Sequence, residues 1–350
     1  MSPRDRTERK GRNDAGRNGV NVSHTYAAID LGTNNCRLLV ARPQDEGFRV
    51  VDAFSRIVRL GEGVEGNRRL SDAAMDRTIA ALKVCADKMR RRKVTRARCV
   101  ATAACRKAAN CDEFLSRVDK EAGLYLETIT AEEEAVLAVA GCRPLLEAEA
   151  SHTLVFDIGG GSTELIWAEN DPETGIKPIA VTSMPYGVVG IAEQHGSGEF
   201  SPEQYEALVQ RLIGEFQDFE AAQNINAKMR PNGTESGGVQ MIGTSGTVTT
   251  LAGVHLGLEK YDRQQVDGLW LSFDIARDAS EQLRRMSMEE RATHPCIGRG
   301  RADLVVAGCA ILEAIHRTWP CERLRVADRG VREGLLLSLM AAGKPANGAA

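Results

Sequence analysis

Two related α/β domains facing one another across a ligand cleft are what this sequence predicts, and three observations predict them. The chain has 350 residues, enough for two domains of ordinary size. Its composition is globular, 43% hydrophobic and 27% charged with few aromatics. Most telling, one pattern occurs twice. YAAIDLGTNNCRLLV from Tyr26 and TLVFDIGGGSTELIW from Thr153 share an apolar strand, an Asp, a Gly-containing polar turn and a second strand, offset by 127 residues. Repeats at that spacing make two similar units, and the cleft between such units is the usual ligand site.

The elements follow in order. The first strand–turn–strand reads as a hairpin, FRVVDAFSRIVRL extends its sheet, and GEGVEGNRRL is a turn-rich loop. Ser71 is placed as the N-cap of a helix whose apolar residues recur at helical spacing toward the basic run MRRRK. ARCVATAACR reads as a strand entering a loop at Thr102, Cys111–Glu121 as a helix, and LYLETIT as a strand. After the second hairpin come a strand near Ala180–Met184 and a helix near Glu203–Ala222. VQMIGTSGTVTTLAG reads as strand, Gly-rich turn and helix; RADLVVAGCAILEAIHR as a helix; LRVADRGVREGLLLSLM as strand, turn and final helix. The expected division is a disordered basic arm over 1–24, a first domain over 25–131 joined by the C-terminal helix 331–341, a second domain over 132–330, and a frayed tail over 342–350.

Bulk chemistry excludes several classes. A net charge of −3 gives no global signal for nucleic acid. No apolar run reaches the ~18 residues of a membrane span. The Arg- and Gly-rich start lacks the apolar segment of a signal peptide, and a plain solvated tail is its expected state. Nine scattered cysteines without a CxxC pair suit reduced, mostly buried thiols in a cytoplasmic protein, and the six histidines have no metal-ligand spacing.

The two turns carry the chemistry. Small residues over Asp30–Asn35 and Asp157–Thr163 leave backbone N–H groups free to form an anion-binding nest, with the hydroxyls of Thr33, Ser162 and Thr163 as further donors. One such turn is equally well a plain hairpin; two matching turns, each behind an Asp, point to phosphate. An aspartate there repels phosphate unless a cation intervenes, and Mg²⁺ keeps several waters while using one or two carboxylates. Asp157 and Glu164 flank the second turn and can reach one cation; for Asp30, and less so Asp157, an Asx cap of the turn is the competing reading. Arg37 and Arg106 offer the planar donor fork that suits phosphate, although spacing alone fits surface ion pairs as well. Glu132, Glu133 and Glu134 open a helix, where acids also suit the dipole, and one of them facing the cleft could take a proton from water. Gly61–Gly66 fits GxGxxG literally, but it is acidic and no helix is expected to open inside it, so dinucleotide binding is set aside. The basic run Met89–Lys93 is expected to be a solvated helix end.

Taken together, IDLGTNNCRLLV, ATAACRKAAN, ITAEEEA, FDIGGGSTEL, GTSGTVTTLA, GRADLVVAGCAIL and DRGVREGLL resemble the exopolyphosphatase / guanosine pentaphosphate phosphatase family, from about Tyr26 to Leu337. The resemblance implies the acetate-kinase, sugar-kinase and actin-like fold, a ribonuclease H-like α/β pair, and hydrolysis of a terminal phosphoanhydride with Mg²⁺ (or Mn²⁺). It implies Glu134 as the catalytic glutamate, with Glu133 second, and metal-linked carboxylates at Asp157 and Glu164; Asp30, from its place before the first turn, is a weaker metal candidate. It implies phosphate contacts from Gly32, Thr33, Asn34, Asn35, Arg37, Arg106, Gly159, Gly160, Gly161, Ser162, Thr163 and Arg301. Gly243, Thr244, Ser245, Gly246 and Thr247 fall where nucleotide-binding relatives meet adenosine.

The implied partners are inorganic polyphosphate or guanosine pentaphosphate, with no specific nucleic acid and no membrane, and a homodimer is left open. Val136 stands where the family often has Arg, and the first turn has Asn35 where Ser is common. Longer members carry extra C-terminal helical domains that lengthen the polyanion channel; this chain is expected to lack them, and long-chain processivity is left open. Polyphosphate hydrolysis is the leading expectation, guanosine pentaphosphate hydrolysis the alternative; a kinase of the same fold and a non-catalytic alarmone sensor are the readings from other classes.

Overall fold

The computed structural model describes residues 24–44, 47–171, 175–196, 199–229 and 238–342. The expected N-terminal arm, apart from His24, and nearly all of the expected tail lie outside the described residues. The chain runs β1 (Tyr26–Leu31), β2 (Asn35–Gln44), β3 (Gly47–Ile57), α1 (Val64–Asn67), α2 (Asp72–Arg91), β4 (Arg96–Ala101), α3 (Ala103–Lys107), α4 (Cys111–Ala122), β5 (Glu127–Thr128) and α5 (Ala131–Cys142). It continues through β6 (His152–Ile158), β7 (Thr163–Asp171), β8 (Gly175–Met184), α6 (Val188–Gln194), α7 (Pro202–Gln223), α8 (Ile225–Met229), β9 (Val239–Thr244) and α9 (Gly246–His255). Last come α10 (Arg263–Val266), β10 (Trp270–Ser272), α11 (Phe273–Arg285), α12 (Met288–Thr293), α13 (Val305–Thr318), β11 (Arg323–Ala327) and α14 (Val331–Ala342).

Two sheets repeat one plan, as the sequence repeat requires. The first has the order β3-β2-β1-β4-β5, the second β8-β7-β6-β9-β11 with β10 added at the edge. In each, two antiparallel hairpin contacts precede two parallel ones. Asp30 stands opposite Arg37, and Asp157 stands opposite Glu164, at equivalent positions beside the two turns. Parallel strands need crossovers, and the helices that make them cover the sheet faces.

Local chemistry sets the boundaries. The Ser71 hydroxyl accepts from Ala74 N and starts α2, whose buried face is Ala74, Met75, Thr78, Ile79, Ala81, Leu82 and Cys85. Three expectations shift. Where a loop was expected after Thr102, its carbonyl accepts from Cys105 N and Arg106 N and turns the chain into α3. The strand expected over LYLETIT shrinks to Glu127–Thr128, because only those residues pair with β4. Within GEGVEG a short helix does form, bounded by Gly63 and Arg68 in left-handed conformation.

α5 joins the two halves. Leu137 and Ala138 pack with β1, β2, β4 and α14, while Ala135, Val139 and Cys142 pack on Val155, Ile166, Ile242 and Ala327 of the second sheet. α14 thus returns the chain end to the first sheet, with Val331, Leu335, Leu336 and Met340 against Tyr26, Ala28, Leu39 and Ala41. α5 and α14 approach backbone to backbone: a Cβ on Gly334 would lie 2.1 Å from Leu137 O, and one on Gly141 2.1 Å from Gly330 O. Gly334→Ala is therefore expected to cost about 1–3 kcal/mol, read as a lowered Tm in thermal unfolding; an unchanged Tm contradicts this packing.

Candidate active site

The two turns meet head to head. A Cβ on Gly160 would sit 3.0 Å from Thr33 Cβ and 3.3 Å from Asn34 N, and one on Gly161 would sit 2.5 Å from Thr33 Oγ1. Glycine at these positions is what lets two hairpin tips from different sheets touch. They border a cleft of about 900 Å³, part of it open to solvent.

Backbone orientation in both turns is fixed from behind. In the second turn Gly159 O accepts from Val188 N at 3.0 Å and Gly160 O from Val189 N at 2.9 Å, while Gly161 O accepts from Lys107 Nζ at 2.9 Å. In a trans peptide the N–H points opposite to the preceding C=O. The N–H groups of Gly160, Gly161 and Ser162 are thereby turned the other way, and among the described residues none has a protein acceptor. In the first turn Thr33 O accepts from Gly61 N, and Asn34 O from Val58 N and Arg59 N. The loop set aside as a dinucleotide motif is thus a brace for the first turn. Three buried polar atoms there, Thr33 Oγ1, Asn34 Oδ1 and Asn35 Oδ1, have no partner among the described residues. The free N–H groups and the Thr33 hydroxyl are donors for a ligand rich in oxygens, while the two Asn oxygens are acceptors that suit a water or a cation accompanying it.

Most of the sequence-predicted residues line this cleft: Asp30, Gly32, Thr33, Asn34, Asn35, Arg37, Glu134, Asp157, Gly159, Gly160, Gly161, Ser162, Ser245, Gly246, Thr247 and Arg301. Others do not reach its wall. Arg106, expected on phosphate, binds Glu134 instead, Nη1 to Oε2 at 2.7 Å. Thr163 donates its hydroxyl to Tyr186 O, and Thr244 to Arg329 O. Gly243 lies under the Phe156 ring, and Glu133 pairs with Arg98 at 2.5 Å. Glu164 is buried behind the second turn, accepting from Ser162 Oγ at 2.6 Å and Ser183 Oγ at 2.8 Å, with Arg106 Nη2 4.0 Å away. Sequence reasoning missed Thr102, Val188, Thr250, Leu304, Val305 and Val331 on the wall. It also missed Gly187, whose missing side chain leaves room for the Gly160–Gly161 peptide: a Cβ would lie 2.4 Å from it. Only alignment of the two repeats, which puts Asn34 and Gly161 in equivalent positions, hints that whatever braces one turn has a counterpart at the other.

Opposite charges divide the cleft. Arg37 and Arg301 line it with no ion pair among the described residues, and burial together with the facing Arg37 makes the Arg301 cation less stable. On the acidic side, burial pushes Asp157 up to about 8, the Glu164 charge adding to it. Asp30 is raised by burial against the pull of Arg37. Glu134 is held well above the ordinary carboxylate range, by burial first and then by Glu164, against the pull of Arg106. Among the described residues neither the Asp30 nor the Asp157 carboxylate accepts a side-chain hydrogen bond. Two partly buried carboxylates on the cleft wall, beside free anion donors, suit Mg²⁺, which uses one or two carboxylates and completes its octahedron with water and phosphate oxygens. Among the described residues no three acidic, His or Cys side chains form a ready metal cage, so the fit is to such a shared ion rather than to an all-protein site.

The Ppx/GppA phosphatase family matches over residues 39–342. This chain belongs to that family. It is similar to the guanosine-5'-triphosphate,3'-diphosphate pyrophosphatase of Aeromonas salmonicida, 33% identical over 319 residues, which are 91% of this chain and 60% of the relative. The chain thus spans about 60% of the length of that relative. A Haemophilus influenzae protein provisionally named an exopolyphosphatase is 28% identical over 89% of this chain and 90% of its own length. Among solved structures, the Aquifex aeolicus family member has a TM-score of 0.74 at 29% identity, covering 92% of this chain and 99% of that one. An exopolyphosphatase from Cytophaga hutchinsonii shares the fold with a TM-score of 0.81 at 24% identity, over 92% and 99% of the two chains. The family's two-domain actin-like architecture is the duplicated pair of sheets described above. Among the described residues no helix is long and apolar enough to cross a membrane.

The raised Asp157 carboxyl has a consequence for stability. The folded state keeps a proton that the unfolded chain releases near 3.8, so this group's contribution is fully present below that pH and is lost as pH rises toward about 8. Asp157→Asn lacks the titration. In chelator the Tm advantage of Asp157→Asn over the parent is expected to grow from pH 4 to pH 8, measured by scanning calorimetry; a constant difference contradicts the assignment.

Proposed function

We infer that this protein hydrolyses the terminal phosphoanhydride of inorganic polyphosphate and releases orthophosphate. The observation that carries the reading is the meeting of two braced turns, two unpaired arginines and Glu134 at one cleft. The terminal phosphoryl group rests on the N–H groups of Gly160, Gly161 and Ser162 and on the polar tip Thr33–Asn35, with Arg37 and Arg301 drawing its charge. Glu134 faces the same space from the first turn of α5 and takes the proton of a water whose oxygen attacks phosphorus. The bridging P–O bond breaks on the far side, and the shortened chain leaves. Phosphoryl transfer asks mainly for positioning and charge neutralisation, which this set supplies.

Arg106 acts through Glu134, fixing its rotamer by the 2.7 Å bond and anchoring itself on Ile129 O at 3.1 Å. Mg²⁺ held by Asp157 and Asp30 would neutralise charge on the phosphates; Glu164, tied to two serine hydroxyls, would act on that ion through water. A second reading keeps the chemistry and changes the substrate. The name of the Aeromonas relative favours guanosine pentaphosphate, and Ser245, Gly246, Thr247, Leu304 and Val305 offer a partly apolar wall beside Arg301 for a nucleoside. Orthophosphate release with Mg²⁺ from tripolyphosphate, long polyphosphate and guanosine pentaphosphate, run in parallel, separates the two readings; no release from any of them ends both.

Glu134→Gln is expected to lower kcat by about 10²–10⁴ with little change in KM, and equal activity removes Glu134 from the role. A base works deprotonated, so kcat/KM rises with pH through a limb lying above the ordinary carboxylate range. Arg106 pulls that group down, so Arg106→Gln should move the limb to higher pH; a limb that stays in place contradicts the pairing.

A further inference from the structure

Among the described residues, Lys107 supplies the side-chain donor to a glycine carbonyl of the second turn. It is the last residue of α3, packed with the first sheet, yet its Nζ lies 2.9 Å from Gly161 O in the turn of the second. The other two glycine carbonyls of that turn are held by backbone N–H groups of α6, within their own half of the molecule. The third depends on the opposite half. The Lys107 ammonium is shared with Glu65 at 2.8 Å and keeps 19% of its side-chain surface exposed.

The peptide between Gly161 and Ser162 needs such a hold. A glycine on one side leaves it free to rotate, and after a flip its carbonyl oxygen rather than its N–H would face the cleft. A carbonyl there repels a phosphoryl oxygen that the N–H would bind. We propose that Lys107 is a positioning residue that holds the Gly161–Ser162 peptide with its N–H toward the cleft, and that the phosphate nest is complete only while the two halves are apposed. The contact joins substrate binding to apposition, because the donor set has its full strength only with Lys107 seated. The same seam carries Arg59 on Asp303 at 2.9 Å and Gly63 N on Glu193 Oε1 at 2.9 Å. The proposal rests on the phosphate-binding reading of the cleft, though not on the hydrolysis that follows.

The test uses the full chain and two readouts, binding of imidotriphosphate by calorimetry with Mg²⁺ and orthophosphate release from tripolyphosphate. Lys107→Met is expected to weaken imidotriphosphate binding about tenfold and to lower kcat roughly 10–100-fold, with Tm unchanged. Lys107→Arg, which can still donate to Gly161 O, should recover most of both. Glu65→Gln, which leaves that bond in place, should behave like the parent protein. Lys107→Met with parental binding overturns the proposal, as does an arginine variant as impaired as the methionine one, or a Glu65→Gln loss equal to that of Lys107→Met. If the parent binds imidotriphosphate but cleaves neither polyphosphate nor guanosine pentaphosphate, the hydrolase reading falls and the Lys107 role is decided on binding alone; if it does not bind, both fall.

Discussion

The whole arrangement depends on two hairpin tips, from different sheets, touching across a cleft with their carbonyls bonded behind them. Because a trans peptide sends its N–H opposite to its C=O, each bond at the back of a turn fixes a donor at the front. The duplication in sequence produces this geometry directly. Equivalent residues, Gly32 and Gly159, each donate from N to the O of a residue three further on, Asn35 and Ser162, at 2.9 Å. Once the sheets are built alike and α5 is packed on both, the two turns have little freedom except to face each other.

Function here opposes stability. Asp30, Glu134, Asp157 and Glu164 lie near one another, Glu164 buried and the other three partly buried, and desolvation raises the pKa of every one of them. A fold optimised for stability alone would not bury such a group without partners. Arg106 relieves part of the strain by standing between Glu134 and Glu164, and the serine hydroxyls on Glu164 relieve more. What is left over, two carboxylates on one side and two unpaired arginines on the other, is charge waiting for a ligand that carries both signs, as a magnesium–phosphate complex does.

Much of this was legible in the residues. The repeat around Asp30 and Asp157 gave the two sheets, and the paired turns gave most of the cleft wall. Legibility failed where a side chain's partner lies far along the chain. Nothing local says that Arg106 will reach Glu134 rather than a phosphate, or that Glu164 will turn back onto Ser162 and Ser183. GEGVEG looked like a motif to discard because its use is structural: Gly61 N holds Thr33 O, and a Cβ on Gly61 would meet Thr33 Cγ2 at 2.3 Å. Lys107 and Gly187 carry no pattern at all, since each is defined only by the backbone it touches in three dimensions.

A crystal structure with imidotriphosphate and Mg²⁺ tests the central claim most directly. The account requires the terminal phosphoryl group between Asn34 and the Gly160–Ser162 peptides, with Arg37 or Arg301 on its oxygens and Glu134 on the side from which water attacks. An anion found instead on another basic surface, such as the Lys88–Lys93 end of α2, with the two turns unoccupied, would contradict it.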